Sequence, residues 1–134
     1  MKKISLILIV LFMLTACSSA KPDISGDWKL VSYGDASNPT PAIPNVDTSI
    51  QFESGQMSGN VGCNGFGGAY ELGGDKITFS GVMSTMMYCE ETSAQEQSVL
   101  GIFSDGVALQ IQRSGDTLTI TSFDGSLVIN LAHR

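Results

Sequence analysis

The chain has 134 residues, 43% of them hydrophobic and 15% charged, and its seven basic residues stand against thirteen acidic ones for a formal charge of −6. That length supports one domain with a core of its own. The acidic balance, with no cluster of Lys or Arg in the body, argues against nucleic acid as a partner and against anionic lipid as an electrostatic one.

The first element is a targeting segment. In "MKKISLILIVLFMLTACSSA", Lys2 and Lys3 precede an apolar run from Ile4 to Leu14. The run is too short for a permanent transmembrane helix and has the layout of a secretory signal. "LTAC", Leu14–Cys17, resembles a bacterial lipobox, in which cleavage falls before the cysteine and its sulfur carries a diacylglycerol. The alternative is an ordinary signal peptide with an incidental cysteine. The expected division is a signal peptide over 1–16, a lipidated tether over 17–24 and a folded domain over 25–134. Ser18, rather than Asp, resembles an outer-membrane sorting signal. The expected location is thus the outer membrane of a bacterial envelope, with the domain facing the periplasm. Acyl chains (palmitate among them) would hold it there, each buried CH₂ contributing about 0.8 kcal/mol. Without Lys2 and Lys3 the remaining five basic and thirteen acidic residues give −8.

Apolar and polar residues then alternate with period two, the mark of half-buried strands. "WKL" aligns Trp28 with Leu30, with Trp28 expected in the core, and "SIQFE" aligns Ile50 with Phe52. "KITFS" aligns Ile77 with Phe79, and "VALQIQR" aligns Val107, Leu109 and Ile111. "TLTITS" aligns Leu118 with Ile120, and "SLVINLA" aligns Leu127, Ile129 and Leu131. Gly73–Gly74, Ser114–Asp116 and Asp124–Gly125 are turn signals. Between the first two strands, Gly34–Asp47 carries three prolines and no period, a loop that is either loosely held or functional. One segment, "EETSAQEQSVLGIFSDG", has Val99, Leu100 and Phe103 at helical spacing, a Ser93–Glu96 capping box and Gly106 as its stop. The pattern predicts a mainly β (α+β) domain: a small antiparallel barrel-like fold of about seven or eight strands with one covering helix.

"GNVGCNGFGGAY", Gly59–Tyr70, holds five glycines, a cysteine and two asparagines. A P-loop would need Lys and Ser/Thr opening a helix, yet Gly67 and Gly68 lead into a strand-like "AYEL". Zinc would need three or four ligands from Cys63, Cys89 and the penultimate His133. Met83, Met86 and Met87 suit Cu(I) but more ordinarily pack a core. A nucleophilic Cys63 lacks a neighbouring base. With Cys17 consumed by lipid, Cys63 and Cys89 remain as an even pair in an oxidising compartment, which implies a disulfide. Closing that 27-residue loop is worth about 3.5 kcal/mol by chain entropy. Glycines then serve a tight or bulged turn, and Asn64 suits left-handed geometry with local hydrogen bonds. No catalytic residue, cofactor or metal ligand is expected.

These residues also resemble the META domain (HslJ-like) family, whose pattern is G-x-x-G-C-N-x-x-x-G-x-Y followed by T-x-M-x-C. Gly59, Gly62, Cys63, Asn64, Gly68 and Tyr70 fill the first part, and Thr85, Met87 and Cys89 the second. Gly65 departs from it, since many members carry a larger side chain there. The resemblance spans about Ile24 to Ala132. It implies a barrel-like domain with one helix, similar to secretin-pilot lipoproteins that hold an acyl chain. It also implies roles in heat shock, stress tolerance, motility or virulence, and no catalytic activity. Two functions follow as expectations. One is a non-enzymatic envelope lipoprotein that binds an unidentified envelope protein or supports a stress response. The other is a carrier for a hydrophobic ligand, lined by Met83, Met86, Met87, Phe66 and Phe79.

Overall fold

A computed structural model describes residues 20–134. The signal segment and the lipidation residue Cys17 lie outside the described residues. Nine strands and one helix follow in order: β1 Gly26–Asp35, β2 Thr40–Pro41, β3 Ser49–Glu53, β4 Gln56–Asn60, β5 Gly65–Gly73, β6 Lys76–Ser84, α1 Ser93–Ile102, β7 Ala108–Ser114, β8 Thr117–Thr121 and β9 Leu127–His133. From β3 to β9 each strand pairs antiparallel with the next. β1 pairs with β3 through Gly26–Trp28 and with β9 through Trp28–Asp35. These pairings close an eight-stranded antiparallel barrel, and β2 is an extra strand beside Ser32 and Tyr33. Closure removes the free edges that an open sheet exposes.

The registers define two ends. Gly26 begins β1 beside Phe52 and His133, at the end that holds the Ser54–Gly55 and Gly115–Asp116 turns. Ser54 and Gly55 both have positive φ, the twist-matched geometry of a two-residue hairpin. The Gly-rich corner between β4 and β5, the end of β6 and the β8–β9 turn lie at the other end.

The core follows the alternation with three departures. Trp28, Phe52, Phe79 and Phe103 are fully buried, and Phe79 packs edge-on against Phe103 with centroids 4.8 Å apart. Trp28 also donates its indole N–H to the Ile24 carbonyl at 2.8 Å, so Ile24, assigned by sequence to the tether, belongs to the core. In β1 a bulge falls between Leu30 and Ser32. Val31 faces outward as alternation requires, but the extra residue brings Tyr33 inside where strict alternation would place Ser32. Val107 and Leu127 are exposed rather than aligned with the core: Val107 precedes β7, and Leu127 is the first residue of β9, whose core contacts begin at Ile129.

The helix covers the corner end with Val99 and Ile102 buried, and Phe103 follows as its C-cap. It stops before Gly106, whose φ of 73° serves the next turn. The Ser93–Glu96 capping box does not form: Thr92 is the N-cap, without a side-chain cap bond, and Glu96 turns inward to other partners. The Pro-containing loop is also held. Ala42 donates its N–H to Val31, and Gln95 of α1 accepts the N–H of Ile43 at 2.8 Å.

Candidate functional site

Gly62, Cys63, Asn64, Thr85, Met87 and Cys89 gather where the β4–β5 corner, the segment after β6 and the start of α1 meet. Gly68 and Tyr70 lie farther along β5, where Tyr70 N–H donates to the Gly55 carbonyl at 2.8 Å. The Gly-rich corner leaves peptide N–H groups of Cys63 and Asn64 facing inward, and buried donors need acceptors. Glu96 supplies one. Its Oε1 accepts from Cys63 N–H, from Asn64 N–H at 3.0 Å and from the Thr92 hydroxyl at 3.2 Å. Its Oε2 accepts from Asn64 Nδ2 at 2.7 Å. Burial raises the Glu96 pKa, but the bond from the Asn64 side chain, then those from the Cys63 and Asn64 amides and Thr92, outweigh it. The net shift is downward, and the carboxylate stays ionised though only 6% exposed.

Asn64 uses its whole amide. Nδ2 donates to Glu96 and to the Met87 carbonyl at 2.8 Å, while Oδ1 accepts from Met87 N–H and from the Thr85 hydroxyl, both at 2.8 Å. The side chain thus pairs with Met87 as a neighbouring strand residue would. Thr85 N–H donates in turn to Gly65. The Cys63–Cys89 disulfide spans the same junction, with Cα atoms 6.2 Å apart. Fully buried Gln95 adds a further tie, donating Nε2 to the Val61 carbonyl.

The glycines act through close approach, not through φ. None from Gly59 to Gly68 has positive φ, and the left-handed geometry expected for Asn64 is absent. Its bonds run to Thr85, Met87 and Glu96 instead of to local backbone. A Cβ on Gly62 would meet Thr92 Cβ at 2.6 Å. One on Gly68 would meet Ser80 O and Val82 Cγ2 at 3.0 Å, where the β5–β6 register shifts. Gly59 likewise faces Phe66, whereas Gly65 has room for a side chain. Tyr70 packs edge-on against Phe52 at 5.3 Å.

Chemically the junction is closed. Cys63 and Cys89 share a bond and offer no thiolate. His133 lies at the opposite end, its ring against Trp28 at 5.0 Å. Among the described residues no buried side-chain N or O lacks a partner. Met83, Met86 and Met87 are not core: they are 77%, 95% and 59% exposed, and Tyr88 beside them is 80% exposed. Phe66 and Phe79 are buried within the barrel instead. The sequence reading missed Gln95 and Glu96 as inward polar residues. The unfilled hydrogen bonds of the Gly-rich corner were the signal available, and the helical period did not mark them.

Residues 22–133 match the META domain family. No curated protein matches the sequence significantly. A protein of Burkholderia xenovorans solved by NMR is 18% identical with a TM-score of 0.66, over 82% of each chain. A crystal structure of a DUF4847 family protein from Bacteroides vulgatus is 14% identical with a TM-score of 0.60, covering 82% of this chain and 93% of that one. At these identities the likeness is one of fold.

Proposed function

The chain belongs to the META domain family, and from that premise we propose that it is a non-enzymatic lipoprotein of the bacterial envelope that binds a partner protein, with a role in the envelope stress response. In this reading Cys17 carries the lipid, the outer membrane holds the anchor, and the barrel stands in the periplasm. One observation carries the non-enzymatic part: the motif's polar groups are spent on one another. Glu96 accepts four donors and Asn64 uses all four of its amide positions. A general base needs a lone pair directed at a substrate proton, and here both carboxylate oxygens of Glu96 are engaged by donors of the chain itself.

Carriage of an acyl chain is the weaker reading. Trp28, Phe52, Phe79 and Phe103 occupy the space where such a chain would lie, and a packed interior resists insertion. Native mass spectrometry separates the two, since a co-purifying lipid would favour carriage. The anchor is tested by metabolic labelling with an acyl-chain analogue. The wild type is expected to take up label and fractionate with membranes, and Cys17→Ala to do neither. An unlabelled wild type would remove the anchor from the proposal.

A further inference from the structure

Resting on the partner-binding reading, we propose that the Met83–Tyr88 segment is the docking surface, and that its partner is a protein presenting an apolar anchor flanked by Lys or Arg.

The segment leaves β6 at Ser84 and has no regular structure up to Cys89. It is nevertheless fixed at three points: Thr85 to Gly65 and Asn64, Met87 to Asn64, and Cys89 to Cys63. Met83, Met86, Met87 and Tyr88 all point outward from it. Single exposed apolar residues are ordinary, but here four fall in six consecutive positions, Met83 at the end of β6 and the other three on the pinned loop, and clustered exposed apolar residues mark interaction sites. Methionines adapt to varied partner shapes, and tyrosine is enriched at interfaces. Beside the patch runs a groove of about 160 Å³ lined by Thr85, Met87, Tyr88, Ser93, Gln97 and Leu100, with Asn64 and Glu96 at its base. It has room for one inserted side chain.

Charge selects the occupant. From Ile77 to Gln112 the chain has Glu90, Glu91, Glu96 and Asp105 and no Lys, Arg or His. Glu90 and Glu91 are exposed directly after Cys89. Asp105 accepts the N–H groups of Gly81 and Val82, both at 3.1 Å, next to Met83. The facing corner, Gln56–Tyr70, carries no charged side chain. A cationic rim on the partner complements this field. A second copy would set these carboxylates against their own counterparts across a twofold axis. A lipid surface is disfavoured as well, because β1 begins at the opposite end of the barrel.

The test places a photoreactive benzoylphenylalanine at Met86 of the full-length protein in intact envelopes. The expected adduct is with another protein, mapped to an apolar segment flanked by Lys or Arg. Adding Glu90→Lys and Glu91→Lys is expected to lower its yield roughly tenfold while the melting midpoint stays unchanged. A self-adduct, a phospholipid adduct, a site without basic flanks, a yield indifferent to charge reversal, or no adduct would each overturn the proposal. The same probe at Val31, beside the groove formed with Ala42–Val46, tells the two failures apart. A protein adduct from Val31 alone keeps partner binding and removes this surface. No protein adduct from either position removes both.

Discussion

Glu96 and Asp124 sit at the same end of the barrel, and both carboxylates are held below their ordinary pKa by hydrogen bonds. Asp124 is exposed in the β8–β9 turn. Bonds from the Ser122 hydroxyl and from the Ser126 amide and hydroxyl hold it at about 2. Its donors are two residues away, so the turn is assembled locally. Glu96 is buried, and its corner donors Cys63 and Asn64 are 33 and 32 residues away. The same chemistry therefore does different work. At Asp124 water would replace each lost bond. At Glu96 a lost bond leaves a buried donor with no partner, which costs about 1–3 kcal/mol.

The sharpest way to break the comparison is Asn64→Asp. The new carboxylate would replace an N–H₂ group that donates to Glu96 and to the Met87 carbonyl, placing like charges together under burial. A loss of about 3–5 kcal/mol is expected at pH 7. The folded-state pKa of the pair would rise, so part of the loss should be recovered as pH falls and one carboxyl takes a proton. Urea midpoints at pH 7 and pH 5 check both parts, and a midpoint equal to wild type at pH 7 would contradict the geometry.

Cys63→Ser with Cys89→Ser should come next, at about 3.5 kcal/mol by chain entropy. Non-reducing thiol labelling should find no free thiol at Cys63 or Cys89 in the wild type, and two after reduction. Two free thiols in the folded protein would end the staple account.

Glu96→Gln keeps the shape but turns an N–H₂ toward one of the donors, and is expected to cost about 1–3 kcal/mol. It should also flatten the acid limb of the stability curve. Because the folded Glu96 pKa lies below the ordinary glutamate value of 4.5, its contribution is complete above about that pH. It is then lost as pH falls through the folded value. Asp124→Asn should give the smallest effect, with a urea midpoint at pH 7 indistinguishable from wild type. If Asp124→Asn matched Glu96→Gln, burial would not be what separates the two carboxylates.

The same contrast explains how much was legible beforehand. The strands around Trp28, Phe52, Ile77, Leu118 and Ile129 are visible because neighbours two positions apart share a face. The Gly115 and Gly125 turns, with φ of 58° and 75°, are visible because a few adjacent residues specify them. Glu96 misled for the same reason: Ser93-x-x-Glu96 is a local signature, and a distant set of amides outcompeted it. Met83, Met86 and Met87 looked like core because side-chain polarity alone assigns them there. Their exposure follows from how Asn64 and Cys63 pin the backbone between them.

By itself the sequence determined the β character, the single helix, the turn positions and the pairing of Cys63 with Cys89. Each of these rests on alternation, turn chemistry or parity, which operate over a few residues or by count. Only the tertiary structure decided that β1 closes on β9, that Tyr33 turns inward after the bulge at Val31, that Gly62 and Gly68 must lack a Cβ, and that Glu96 points inward while Met86 points out. Those outcomes depend on which atoms arrive opposite one another across strands and loops distant in the chain, and no local pattern encodes that meeting.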